Sequence, residues 1–141
     1  MYQIFPLLAI SLAIYTALSL TGALDTADMA WHQLEFVRLK MASGVDWSVK
    51  LGDVFLLGSM GLLFAELLRA TKTGTESIMN HAFSFVVFFV AFLMFLFLKE
   101  FANSVFFLYL TMTLLDFMAG FIVTTVTARR DLSVGGGPLG G

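Results

Sequence analysis

The sequence predicts an all-α integral membrane protein with four transmembrane helices and a short interfacial amphipathic helix between the first two. Of its 141 residues, 59% are hydrophobic and only 13% are charged. Mean hydropathy is +0.90, and a soluble surface cannot be made from so few charges. Four apolar runs approach the roughly 20 residues that a helix needs to cross a hydrocarbon core about 30 Å thick. Backbone groups in lipid must be paired within the segment, so each run is expected to be helical. The expected spans are residues 4–23, 51–68, 81–98 and 104–127, within a single domain of residues 1–131.

The first run could be taken for a secretory signal, with Thr21 and Ala23 at a cleavage-like spacing. No Lys or Arg precedes it and it is long for a signal core, so it is expected to be retained.

The longest polar segment follows, and a surface helix is expected over residues 26–42. Asp25 or Thr26 would cap it, Asp28 falls in its first turn, Arg38 and Lys40 lie near its end, and Gly44 follows. Ala30, Leu34, Val37 and Met41 would share one face, a pattern suited to lying on lipid or on another protein. Trp31 and Trp47 are candidate interfacial anchors.

In the second span, Asp53 sits in the first turn, where the helix dipole favours an acid. Glu66 is three residues before Arg69, the spacing of a local ion pair. Gly58, Ser59 and Gly61 would let another helix come close. Thr73 and Glu76 then form a Thr-x-x-Glu capping box ahead of the third span.

From Phe83 to Leu98 the only polar side chain is Ser84, and Phe occupies positions 83, 85, 88, 89, 92, 95 and 97. Apolar all round, this helix cannot line an aqueous path. Phe85, Phe88, Phe92 and Phe95 are expected to face lipid or a partner's apolar helices.

Lys99-Glu100 ends that span, and Asn103 or Ser104 can cap the fourth. Asp116 lies near the middle of the fourth span, where an acid costs about 2.5 to 3.5 kcal/mol on insertion scales, so it should not face lipid. Tyr109, Thr113, Asp116, Gly120, Val123 and Thr127 recur at spacings of four and three and line one small, polar stripe. Asp116, Asp53, Glu66, Tyr109 and Thr113 are therefore the candidates for buried polar contacts or an ion path. A continuous polar chain would require the second and fourth helices to face each other. Short links make the last three helices an up-down-up set, and the Gly-rich tail of residues 132–141 should form no regular element.

Several classes of chemistry are excluded. Without cysteine there is no disulfide, thiolate nucleophile or iron–sulfur cluster. A net charge of -2 with interspersed signs offers no field for nucleic acid. His32 and His81 are badly placed for a buried haem pair, and no zinc, nucleotide or Ser-His-acid motif is present. No catalytic residue, metal or cofactor is expected. The positive-inside count ties, with Arg69, Lys72, Arg129 and Arg130 on one side against Arg38, Lys40, Lys50 and Lys99 on the other. Arg69 and Arg129-Arg130 stand at helix ends, which leans both termini toward the cytoplasm.

The run Trp47 to Arg69, opened by Gly52-Asp53, together with Leu115-Asp116 and Ala119-Gly120-Phe121, resembles an uncharacterised group of small four-helix bacterial inner-membrane proteins. The resemblance implies a bacterial inner-membrane setting and carries no activity. Two functions follow as expectations: a non-catalytic accessory or assembly subunit bound to other membrane subunits, or a homo-oligomeric ion or proton channel or carrier that uses Asp116.

Overall fold

The computed structural model describes residues 5–70 and 75–134, with side chains except at 70, 75–78, 81, 123, 124 and 126–134. It is mostly helical, with four α-helices: α1 (Leu8–Thr21), α2 (Leu51–Ala70), α3 (Thr75–Phe97) and α4 (Ser104–Val134). Two stretches are long and apolar enough to cross a membrane, Leu51–Arg69 and Ser104–Ile122. α1 has 14 residues, about 21 Å of helix at ~1.5 Å per residue, shorter than the expected first span. α3 begins six residues earlier than its apolar run suggests, and α4 runs on to Val134. Thr73 and the Glu76 side chain of the expected capping box, and residues 135–141 of the tail, lie outside the described residues.

Three local signals behave as expected. Asp53 Oδ2 accepts the Lys50 N–H at 2.8 Å, closing the first turn of α2. Asn103 caps α4: its Oδ1 accepts the Phe106 N–H at 3.0 Å and its carbonyl accepts the Phe107 N–H at 2.9 Å. The short links do give an up-down-up set, in which α2 and α4 run parallel, with α3 and α1 antiparallel to both. Tyr15 of α1 meets Asn103 at the start of α4, whereas Leu8 meets Tyr109 and Glu66 further along.

The expected surface helix over 26–42 is not formed. That segment instead gives a 3-10 turn at Trp31–Gln33 and an antiparallel hairpin of β1 (Glu35–Lys40) and β2 (Asp46–Lys50). Cross-strand pairing explains the outcome. Val37 faces Val49 and Leu39 faces Trp47, while Arg38 faces Ser48 and Lys40 faces Asp46, so apolar and polar pairs alternate. A period of two fits these residues better than the helical period, which places only Val37 and Met41 of this stretch on its apolar face. Gly44 does not end a helix. With φ +83 it occupies the left-handed position of a three-residue hairpin loop, closed by the Met41 N–H donating to Val45 O at 2.9 Å. Glu35 accepts hydrogen bonds from Arg38 and Ser48 on the polar face, and these hold its carboxyl below the usual carboxylate range.

An aromatic core fills the hairpin end of the bundle. The buried ring of Tyr15 sits 4.8 Å from Phe106, 5.1 Å from Trp31, 5.2 Å from Phe55 and 5.5 Å from Phe101, all within the range of favourable ring contacts. Trp31 is therefore not an outward interfacial anchor. It is 3% exposed, and its indole N–H donates to Ser19 Oγ at 3.0 Å. The residue turns inward because Asp25 Oδ1 accepts the Trp31 N–H at 2.7 Å and fixes the 3-10 turn against α2. Trp47, by contrast, stands half exposed on the hairpin.

Candidate functional site

The opposite half of the bundle is polar inside. Helix starts leave their first N–H groups without intrahelical acceptors, and α1 has no capping side chain of its own at Leu7. Ala9 and Ile10 donate to Pro6 O and Leu7 O at 3.1 and 3.0 Å. The remaining two N–H groups, of Leu7 and Leu8, donate to Glu66 Oε2 at 2.9 and 3.3 Å. A carboxylate from α2 thus caps α1 across 59 residues of sequence. The positive end of the α1 dipole favours a negative charge there.

This overturns the local reading of Glu66. The residue is fully buried, and its carboxyl is engaged by α1 and by Asn80, not by Arg69. Among the described residues, the ion pairs are Glu35–Arg38 and Lys99–Glu100. The helical phase explains the difference: Glu66 continues the inward face of Ser59 and Leu63, whereas Arg69 is exposed.

The polar stripe of α4 is inward as expected for the four described members. Tyr109, Thr113, Asp116 and Gly120 are buried. Val123 and Thr127 have side chains outside the described residues. Tyr109 Oη donates to Leu8 O at 2.7 Å, tying α4 to the same turn of α1 that Glu66 caps. Thr113 Oγ1 donates back to Leu110 O at 2.7 Å. Asp116 is 2% exposed and lies within coulombic reach of both Glu66 and Tyr109. Asp53 takes no part. It sits exposed at the start of α2, and from Leu51 to Glu66 the helix rises about 22 Å at ~1.5 Å per residue.

Sequence reasoning missed Asn80, which lies one residue before the expected third span. Asn80 Nδ2 donates to Glu66 Oε1 at 3.1 Å, and Ser84 Oγ donates to Asn80 O at 3.2 Å. The signal is present in the sequence, since an Asn on the buried face of a helix in an apolar chain demands a partner. Ser59 meets α1 through a 2.9 Å hydrogen bond to Ser11, as small residues on α2 allow. Gly58 and Gly61 face open space, and a Cβ at either position would meet nothing within 4 Å.

No family model, curated protein or solved structure matches the chain. The reading of the site therefore rests on its own chemistry. Among the described residues, no three His, Asp or Glu side chains gather to hold a metal ion. An apolar groove of about 460 Å³ between α1 and α2 is lined by Trp31, Val54, Gly58 and Leu62 among others, and Asp116 and Glu66 are not in its wall. On the surface of α3, Phe85 and Phe92 are exposed, whereas Phe88 and Phe95 turn partly inward against the core.

Proposed function

We propose that the chain is a multi-pass protein of a bacterial inner membrane, with four membrane-embedded helices and both termini cytoplasmic. In this reading it serves as a non-catalytic accessory or assembly subunit that docks on other membrane proteins. The observation that carries the reading is where the polar groups go. Glu66, Asn80, Tyr109, Ser11 and Ser59 are engaged in hydrogen bonds between helices. The outward faces of the helices carry large apolar side chains, with Leu57, Phe64 and Phe97 more than 60% exposed. Intramembrane polar groups spent on helix association act as glue, and an apolar exterior suits lipid and partner helices alike.

Co-extraction tests it. The chain is released from its native membrane in polymer-bounded lipid discs, and the mass of the intact assembly is measured. A defined hetero-assembly is the expected result; a homo-oligomer with no other subunit would overturn the proposal. The juxtaposition of Glu66 and Asp116 supports a second reading, an ion or proton carrier. Liposome ion flux that falls on Asp116→Asn would favour it, and unchanged flux would remove Asp116 from any path.

A further inference from the structure

Hydrogen bonds tie α1 to α2 along only part of their length. Ser59 Oγ donates to Ser11 Oγ at 2.9 Å, and Glu66 accepts the Leu7 and Leu8 N–H groups further on. Nearer the hairpin no hydrogen bond joins the two helices among the described residues, and there the apolar groove of about 460 Å³ lies. Its wall runs from Leu51 to Leu62 on α2 and from Leu18 to Ser11 on α1, with Trp31 at the hairpin end. None of the lining residues is charged, and the two hydroxyls, of Ser11 and Ser59, already hydrogen-bond each other. The groove therefore asks no polar contact of an occupant. Gly58 stands in the wall, and a Cβ there would meet nothing within 4 Å, so the space before it is open.

The dimensions select the occupant. From Leu51 to Leu62 the helix rises about 16 Å at ~1.5 Å per residue, close to one leaflet of a hydrocarbon core roughly 30 Å thick. A partner's membrane helix would need a seat that runs the full thickness. Packed helix axes lie about 8 to 10 Å apart, so the footprint of the groove is at most on the order of 150 Å², against about 800 Å² per partner in a stable protein interface. Its volume falls instead among cavities that hold small ligands, roughly 300 to 1,000 Å³. Two of its wall residues, Ile14 and Val54, are exposed, so the groove is continuous with the outward apolar faces of α1 and α2. We propose that this groove holds one acyl chain of a membrane phospholipid, drawn from the leaflet on the hairpin side, with the headgroup at the level of Leu51. The inference rests on the membrane-embedded part of the proposed function and is independent of docking on a partner. With no charge in the wall, phosphatidylcholine and phosphatidylglycerol should occupy the groove alike.

Trp31 provides the readout, because Trp47→Phe leaves it as the single tryptophan of the full chain. The chain in dodecyl maltoside micelles is titrated with phosphatidylcholine brominated on its acyl chains, and quenching of Trp31 is followed. Saturable quenching at one lipid per chain is expected. Gly58→Leu fills the groove and should weaken binding by about tenfold or more, ~1.4 kcal/mol per tenfold. Gly61→Leu adds the same side chain outside the groove wall and should leave binding unchanged. Quenching that rises without saturation, unchanged binding in Gly58→Leu or an equal loss in Gly61→Leu would overturn the proposal. If Gly58→Leu fails to fold, Val54→Phe narrows the same groove and should weaken binding in its place; unchanged binding there would also overturn it. A photocrosslinker at position 58 in native membranes should yield lipid adducts, whereas an adduct of protein mass would seat a partner helix or a second copy there and refute the lipid. Failure of the chain to enter lipid nanodiscs would remove the membrane reading and the site together; entry with Trp31 unquenched by brominated lipid would remove the site alone.

Discussion

Removing the Glu66 carboxylate should detach the start of α1. In Glu66→Ala, the Leu7 and Leu8 N–H groups and the Asn80 amide lose acceptors at 2.9, 3.3 and 3.1 Å. Hydrogen bonds to a charged group contribute about 1.5 to 3 kcal/mol each, though the longest of these contributes least. Favourable interaction with the helix dipole adds about 0.3 to 2 kcal/mol. The desolvation of a buried carboxylate and its repulsion from Asp116 offset part of the sum, as they do for other buried charges. A net loss of about 3 kcal/mol is expected for Glu66→Ala, consistent with the cost of deleting one partner of a buried charged contact. Glu66→Gln keeps one acceptor oxygen and should lose about half as much, since a neutral hydrogen bond contributes about 1 kcal/mol.

The assay is unfolding by sodium dodecyl sulfate in mixed micelles, followed by the fluorescence of buried Trp31 in a Trp47→Phe background. The chain has no native cysteine, so Ser11→Cys, introduced alike into the unmodified, Gln and Ala chains so that the altered contact with Ser59 is common to all three, provides a single label within α1 at a position only 3% exposed. Thiol labelling there should accelerate in the Glu66→Ala background before global unfolding. Equal midpoints for the unmodified, Gln and Ala chains would refute the capping role. Destabilisation without faster labelling at position 11 would refute it too, by placing the effect of Glu66 elsewhere.

Further predictions concern the other end of the bundle. A Cβ on Gly52 would meet His32 O at 2.8 Å and Val105 Cγ2 at 2.9 Å; Gly52→Ala should therefore cost about 1 to 3 kcal/mol by overpacking against a backbone atom. Gly58→Ala meets nothing within 4 Å and should be neutral or stabilising by up to about 1 kcal/mol through helix propensity, read in the same unfolding titration. Asn103→Ala removes both the α4 cap and the 2.9 Å bond to Tyr15; about 2 kcal/mol should be lost, from a cap of ~1 kcal/mol and a hydrogen bond of similar size. Burial holds the His32 imidazole below its ordinary value of 6.5, with Asp25 opposing the shift and Lys50 adding to it. The unfolded chain then binds the proton more readily, so the stability contribution is present above pH 6.5 and lost as pH falls through the lower folded value. Thermal melts from pH 7.5 to 5 should show a smaller acid-side loss in His32→Asn than in the unmodified chain; identical profiles would remove His32 as a contributor.

What can be read from the sequence follows from how far apart the interacting residues lie. The Asp53 and Asn103 caps and the Tyr109–Gly120 stripe depend on spacings of three or four, so they are visible one segment at a time. The hairpin escapes such a reading because Asp25, Asp28, Arg38 and Gly44 are equally good punctuation for a helix. Only the cross-strand pairs Val37–Val49 and Leu39–Trp47 decide between the two, and their partners lie 8 to 12 residues away. Glu66 shows the limit most clearly. Its local neighbour Arg69 offers a sufficient account, whereas its actual partners, Leu7 and Leu8, are nearly sixty residues upstream. Yet the stretch from Ile4 to Leu7 contains no Ser, Thr, Asp or Asn. A helix that begins among apolar residues with no cap of its own requires an acceptor from elsewhere, because its first N–H groups cannot be left unpaired in an apolar setting. In a chain with so few acids, that requirement narrows the search to Asp53, Glu66 and Asp116 among the expected spans. An antiparallel α1 brings its start to the later turns of α2, which eliminates Asp53. The missing cap is thus a long-range signal written as a local absence.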